Sequence, residues 1–263
     1  MANLVATRPT AIVTGALRGI GRECAIALSK SGFNVLLNDL AVDDHTVLAQ
    51  KLIAEVEESG AESIVFGGDV SDLDEHTRLI EAASARWGRI DCLVNNAGVG
   101  VAKRGDLLDV TSESFDRCLR VNTKAVFFLS QAVARHMLKQ GEIRGQYRSI
   151  INITSSNAVA VSISRGEYCV SKCASSMTTR LFGVRLAGEG IGVYEVRPGI
   201  IDTDMTRPVK DKYDALIADS VPAQRWGLPA DVAATVRSMA EGHLSYTVGQ
   251  AVTVDGGLTI PRF

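Results

Sequence analysis

Apolar positions along this chain fall into two alternating patterns. Short β-branched runs bounded by Gly or Asp are separated by longer stretches in which apolar residues recur every three or four positions. "TAIVT" (10–14) is the first short run and predicts a buried strand. Residues 19–31 follow with Ile20, Ala25, Ile26 and Leu28 at helical spacing. "NVLLND" (34–39) predicts a second strand, and "DDHTVLAQKLIAEVEES" (43–59) an amphipathic helix stopped by Gly60. A third strand is predicted at 63–70 and a third helix at 72–87. "IDCLVNNAG" (90–98) is a fourth strand, followed by a long helix over 112–139. "SIINITS" (149–155) is a fifth strand, with a helix over 165–188 behind it. "GVYEVRPG" (192–199) and "QAVTVDGG" (250–257) complete the set.

Strands that alternate with helices predict an α/β fold, a parallel sheet with helices on both faces. Right-handed crossovers then give a doubly wound, seven-stranded Rossmann-type sheet. No Pro-, Gly- or Ser-rich linker and no repeat interrupts the pattern, so residues 1–263 are expected to form a single domain. The loosest stretch is 203–228, which holds Pro208 and Pro222 and runs up to Pro229. It follows the C-terminal end of a strand, where such sheets bind ligands, and is expected to act as a substrate lid.

Composition narrows the function classes. The 263 residues are 46% apolar with a net charge of −2 and signs well mixed, so neither nucleic acid nor anionic lipid is an expected partner. No apolar run approaches the ~18 residues that cross a bilayer. The start, "MANLVATRPTAIVTGA", has no apolar core followed by a small-residue cleavage site, so a cytoplasmic protein is expected. Five scattered cysteines (Cys24, Cys92, Cys118, Cys169, Cys173) predict free thiols. Cys169 and Cys173 lack a His or Cys neighbour to complete a zinc set, so no metal is expected. His45, His76, His136 and His243 fall in or beside predicted helices. There is no G-x-S-x-G elbow of a serine hydrolase.

The first strand runs into "TGALRGIG" (14–21), which places Gly15, Gly19 and Gly21 at a strand-to-helix turn. Glycines there let backbone N–H groups approach a pyrophosphate, and the helix N-terminus adds partial positive charge. The spacing G-x-x-x-G-x-G departs from the usual dinucleotide fingerprint and lacks the Lys-Ser/Thr of an ATP loop. The second strand ends in Asp39, 18 residues past Gly21. A carboxylate there accepts hydrogen bonds from ribose hydroxyls and repels a 2′-phosphate, which favours NAD over NADP. Arg18, inside the turn, is a counterweight that pairs well with a 2′-phosphate. Asn122 interrupts an otherwise apolar helical stretch, and a buried Asn requires partners. Tyr168 and Lys172 stand one helical turn apart and share a face.

"TGALRGIG", "NNAG" (95–98), Asn122, Ser155, "YCVSK" (168–172), "RPG" (197–199) and "GQAVTVDGG" together resemble the short-chain dehydrogenase/reductase family in order and spacing. The resemblance covers nearly the whole chain and looks closest to the 3-oxoacyl-[acyl-carrier-protein] reductase branch, beside sugar, polyol and steroid dehydrogenases. It implies hydride transfer between nicotinamide C4 and a ketone or secondary alcohol, with Tyr168 as proton relay. Lowering a phenol from pKa ~10 to ~7 takes roughly 4 kcal/mol, which the Lys172 ammonium is expected to help supply. The family reading has Ser155 orient the substrate oxygen and Asn122 hold a water linked to Lys172. It assigns Gly15, Arg18, Gly19, Ile20, Gly21 and Asp39 to the cofactor, Asp69 and Val70 to its adenine, and Asn95, Ala97 and Gly98 to the adenosine side. Pro198, Gly199, Ile201 and Thr203 flank the nicotinamide in the same reading, with Tyr168 and Lys172 also in contact. Family members are usually tetramers built on the two long helices and the C-terminal segment.

The substrate is less determined. An acidic carrier protein needs a basic patch, for which Lys139, Arg144 and Arg148 are candidates. Glu189, in the turn "AGEGIG", and Asp39 depart from the carrier-dependent pattern. A small-molecule or acyl-thioester substrate is therefore expected, with an NAD-dependent sugar, polyol or steroid-type dehydrogenase as the alternative. Arg165 and Glu167 are expected to face it. A catalytically silent nucleotide-binding protein is disfavoured by the intact Asn122, Ser155, Tyr168 and Lys172.

Overall fold

Seven parallel strands form one sheet in the order β3-β2-β1-β4-β5-β6-β7. The computed structural model describes residues 8–40, 46–141 and 145–262. Its first half runs β1 (Thr10–Thr14), α1 (Gly19–Lys30), β2 (Asn34–Asp39), α2 (Thr46–Glu57), β3 (Ser63–Gly67), α3 (Asp74–Trp87) and β4 (Cys92–Asn95). The second half runs α4 (Ser112–Leu119), α5 (Val126–Gln140), β5 (Arg148–Ile153), α6 (Gly166–Leu186), β6 (Ile191–Pro198), α7 (Lys210–Ser220), α8 (Pro229–Ala240) and β7 (Ala251–Val254). Residues 43–45 of the second predicted helix lie outside the described residues.

The central strands are apolar on both faces because both are covered. Side chains alternate across each strand. Val13, Val35, Leu37 and Val94 meet Leu28, Leu52, Val232 and Val236 of α1, α2 and α8 on one side. Ile12, Leu36, Leu93 and Ile150 meet Leu79, Leu129, Val133 and Met137 of α3 and α5 on the other. β1 pairs with β2 on one edge and β4 on the other, so chain direction through the sheet reverses there. That reversal opens a crevice at the C-terminal strand ends.

Three elements differ from the sequence expectation. The long helix over 112–139 is divided by a π-helical segment, Arg120–Ala125, between α4 and α5. Part of the predicted lid is helix α7, and α8 was not anticipated. Its sequence carried a signal: Pro229 opens the first turn, Asp231 accepts a hydrogen bond from the Leu228 N–H at 2.8 Å, and Val232, Ala233, Val236, Met239 and Ala240 form one buried stripe. Strands β3, β4, β5 and β7 also end earlier than predicted. The residues just past β4 and β5, Asn96 to Gly98 and Thr154 to Ser155, line the crevice instead of continuing the sheet.

Candidate active site

A cleft of ≈ 810 Å³ opens where β1, β4, β5 and β6 end. Gly15, Arg18, Gly19 and Ile20 form one end of its wall, and Ala97, Gly98, Ser155, Tyr168 and Lys172 the middle. Pro198, Gly199, Ile201 and Thr203 line it from the end of β6.

The glycine turn is built by close approach. Gly15 (φ 62°) and Gly19 (φ 51°) occupy the left-handed region. At Gly21 a Cβ would fall 2.1 Å from the Gly15 carbonyl oxygen and 2.5 Å from Asn96 Nδ2. Asn96, which the sequence reading passed over, donates from Nδ2 to the carbonyls of Thr14 (2.9 Å) and Gly15 (3.0 Å). Thr14 Oγ1 in turn accepts from the N–H groups of Asn96 and Ala97, both at 3.0 Å. The turn after β1 is thus stapled to the turn after β4. The N-cap residue of α1, Arg18, makes no side-chain capping hydrogen bond, so the first N–H groups of the helix suit an anion. These features fit a dinucleotide pyrophosphate.

Asp39 ends β2 beside this turn, accepting from the N–H groups of Leu17 (3.2 Å) and Leu40 (2.8 Å). Its two oxygens keep further acceptor capacity for hydroxyls. Asp69 is exposed and Val70 buried. His76 Nε2–H donates to the Val70 carbonyl at 2.7 Å, and burial holds this imidazole below its ordinary pKa. The loop after β3 is pinned by this neutral histidine. The Asn95 side chain is held by hydrogen bonds within the protein. Its Nδ2 donates to Ser130 Oγ (3.0 Å) and Asn152 Oδ1 (2.8 Å), and Asn152 donates to Thr179 Oγ1 (2.9 Å). The Asn95 side chain is fixed inside a buried network between sheet and helices and is not turned to the cleft.

Asn122 lies in the π-helical segment, a geometry that re-aims side chains within helices. Its Oδ1 accepts from the Val99 N–H (2.8 Å), while Nδ2 donates to the Val99 carbonyl (3.0 Å) and to Ser171 Oγ (3.0 Å). Lys172 is buried and donates from Nζ to the Ile153 carbonyl at 3.0 Å. A Cβ on Gly98 would sit 3.1 Å from Asn122 Oδ1 and 3.4 Å from Lys172 Nζ, so the two side chains converge on a glycine. Lys172 Nζ is 5.8 Å from the Tyr168 ring centroid, and Ser155 is close enough to the phenol to favour its ionised form.

Comparison with known proteins fits this geometry. A family model described as Enoyl-(Acyl carrier protein) reductase matches residues 15–259. The chain belongs to the short-chain dehydrogenase/reductase family. It resembles a 2-dehydro-3-deoxy-D-gluconate 5-dehydrogenase of Dickeya dadantii (strain 3937), 33% identical over 249 residues, or 94% of each chain. It is 34% identical to a 3-oxoacyl-[acyl-carrier-protein] reductase of Synechocystis, covering 97% of this chain and 98% of that one. The crystal structure of a Brucella melitensis 3-oxoacyl-[acyl-carrier protein] reductase in complex with NAD superposes with a TM-score of 0.92 at 41% identity, covering 97% of this chain and 99% of that chain. The protein is an NAD(P)-dependent oxidoreductase of this family, on the 3-oxoacyl reductase-like branch.

In this short-chain dehydrogenase/reductase the electrostatics of the pair differ from the sequence expectation. Burial pushes the Tyr168 phenol above its ordinary value, while Ser155 and the Arg165 charge pull it down. The Arg165 Cζ lies 5.6 Å from the Tyr168 ring centroid, so its charge favours the phenolate. Burial also pulls the Lys172 ammonium down to about 8, against the opposing charges of Glu195 and Cys118. Behind Lys172, Glu195 is buried and ion-paired to Arg197 at 2.7 Å. Ser155 and Ser156 are both buried beyond the end of β5, so strand alternation does not separate them. What distinguishes Ser155 is that its Oγ accepts from the Asn157 N–H at 3.1 Å while reaching Tyr168.

Two expectations about the substrate are corrected. Arg148 is buried and donates to the carbonyls of Met137 (2.8 Å) and Glu189 (2.7 Å), which removes it from any docking patch. Arg144 lies outside the described residues. Glu167 is buried and accepts from Ser114 Oγ at 2.7 Å, so only Arg165 of the two faces the cleft.

Proposed function

We propose that this oxidoreductase interconverts a small ketone and its secondary alcohol, with Tyr168 as acid/base and NAD as the preferred coenzyme. The observation that carries this is the convergence of Ser155, Tyr168 and Lys172 on the cleft that starts at the glycine turn. Bound nicotinamide supplies or accepts the hydride. The chain's own side chains handle the proton. Ser155 and Tyr168 hydrogen-bond the substrate oxygen. Tyr168 gives its hydroxyl proton to that oxygen during reduction and takes it back during oxidation. Lys172 and the Arg165 charge stabilise the phenolate left behind. Asn122 positions the 96–101 loop through Val99, and its meeting with Lys172 at Gly98 suits a water that returns the proton from solvent. Gly15, Arg18, Gly19, Ile20 and Gly21 hold the pyrophosphate, and Pro198, Gly199, Ile201 and Thr203 flank the nicotinamide.

Asp39 supports NAD, because its carboxylate would repel a 2′-phosphate. The Brucella melitensis reductase was solved with NAD. The relatives' names join carrier-bound acyl groups and a free sugar acid. Buried Arg148 and exposed Glu189 favour the free small molecule. Met205 and, from α7, Tyr213 and Leu216 line the cleft, which supports a lid over 203–228. A homotetramer through α5 and α6 is supported by the exposed stripe Val170, Met177, Leu181 and Val184. No helix among the described residues is long and apolar enough to cross a membrane, in keeping with a cytoplasmic location. The test is kcat/KM for a ketone panel with NADH and with NADPH. NADH-dependent turnover is expected to dominate; strong NADPH preference would overturn the reading of Asp39.

A further inference from the structure

The charged side chains lining the cleft are unbalanced. Among the described residues they are Arg18, Arg104, Arg117, Arg165 and Lys172 against Asp204 alone. Three of the cations have evident uses. Lys172 is bonded to Ile153, Arg18 sits in the glycine turn, and exposed Arg117 donates to the Gly100 carbonyl at 3.2 Å. The single acid, Asp204, is paired with Arg207 outside the cleft wall at 2.7 Å.

Arg104 and Arg165 remain, and both stand in the substrate half. Arg165 lies against the Tyr168 ring and donates from Nε to Ser162 Oγ at 3.2 Å. The Arg104 Cζ is 5.6 Å from the Tyr213 ring centroid, and its Nη2 donates to the Tyr213 hydroxyl at 3.0 Å. Tyr213 is buried on α7. Each guanidinium is therefore oriented by an aromatic ring and one hydroxyl, neither of which neutralises it. Neither has a carboxylate partner among the described residues. A guanidinium has five N–H donors arranged to grip a planar oxyanion. Two half-buried, oriented and unneutralised forks in one cleft are a costly arrangement that an anionic ligand relieves.

We propose that Arg165 and Arg104 bind a free carboxylate on the substrate, which is then a small oxo or hydroxy acid. This rests on the oxidoreductase reading above and names the class of compound it acts on. Arg165 lies against the reacting phenol, so the carboxylate stands only a few carbons from the carbonyl. A carrier-bound thioester has no charge at that position. Because Tyr213 belongs to α7, the anion also ties the helix over the cleft to the bound substrate.

The experiment compares acetoacetate with methyl acetoacetate, which share a ketone and differ in charge. NADH oxidation is followed for wild type, Arg165→Gln, Arg165→Lys and Arg104→Gln. Both compounds use the same proton relay, so the acid-to-ester ratio of kcat/KM cancels effects on Tyr168. Wild type is expected to favour the acid by about 10- to 100-fold, the range of a charge-assisted hydrogen bond. Each Gln variant should lose most of that preference, and Arg165→Lys should retain part of it. Equal rates for acid and ester in wild type, or an unchanged ratio in both Gln variants, overturns the carboxylate clamp while leaving the oxidoreductase reading intact. If neither compound turns over, calorimetric titration of each into the NADH-bound protein gives the same ratio and decides. Failure to bind either NADH or NADPH overturns both readings together.

Discussion

Replacing Glu195 by Gln isolates the buried ion pair behind Lys172. The Glu195 side chain is 1% exposed and that of Arg197 12%. Glu195 accepts from Thr154 Oγ1 (2.6 Å), Ser176 Oγ (2.7 Å), Arg197 Nε (2.7 Å) and Arg197 Nη2 (3.1 Å). Gln preserves shape and part of the hydrogen bonding but leaves the Arg197 charge buried without a counterion. Breaking such a pair costs about 3–5 kcal/mol. At about 2–4 °C per kcal/mol for a chain near this size, Tm should fall by about 6–20 °C in scanning fluorimetry. The double variant Glu195→Gln/Arg197→Gln should recover part of the loss, since removing both charges costs less than orphaning one. Because Glu195 also favours the charged form of Lys172, the single variant should lower the Lys172 pKa further. A single variant within about 2 °C of wild type, as good as the double, would refute this reasoning, for Arg197 would then escape to solvent at no cost.

Further consequences follow from the site. Asp39→Ala should weaken NADH by about tenfold, one or two lost hydrogen bonds, and relieve repulsion of NADPH, so the ratio of kcat/KM values moves toward NADPH; an unmoved ratio would place the ribose elsewhere. Burial holds the Tyr168 phenol above its ordinary value, and alcohol oxidation uses the phenolate. Oxidation should therefore rise with pH on an alkaline limb while reduction falls. Arg165→Gln removes a charge that lowers this pKa, so the limb should move to higher pH, and a limb that moves lower contradicts the assignment. Gly21→Ala places a Cβ 2.1 Å from a carbonyl oxygen. Overpacking of that kind costs about 1–3 kcal/mol, and NADH affinity by titration should fall with Tm; wild-type values for both would mean the turn is not built by that approach.

The doubly wound sheet was legible because β1, β2, β4 and β5 are buried on both faces and carry short runs of consecutive apolar residues. Their exact ends were not, because Ser155 and Gly98 are packed against the cleft and look like strand continuation. The family resemblance grouped Asn122, Ser155, Tyr168 and Lys172, and the structure brings Ser155, Tyr168 and Lys172 to one cleft with Asn122 meeting Lys172 at Gly98. Three features were hidden. The π-helical segment around Asn122 leaves no mark in a 3.6-residue pattern. The role of Asn96 depends on a contact with Gly15, 81 positions away in the chain. The burial of Arg148 and Glu167 inverts what charge alone predicts, because both are satisfied by partners distant in sequence.

The central claim is that Tyr168 moves the proton in a cleft whose cofactor half is built independently of it. Tyr168→Phe removes only the hydroxyl. Measured together, NADH affinity and kcat with a turned-over ketone test the claim most directly. The account predicts NADH binding within a few-fold of wild type and a kcat lower by about 10²–10⁴-fold. A Tyr168→Phe protein that turns over at the wild-type rate would contradict it.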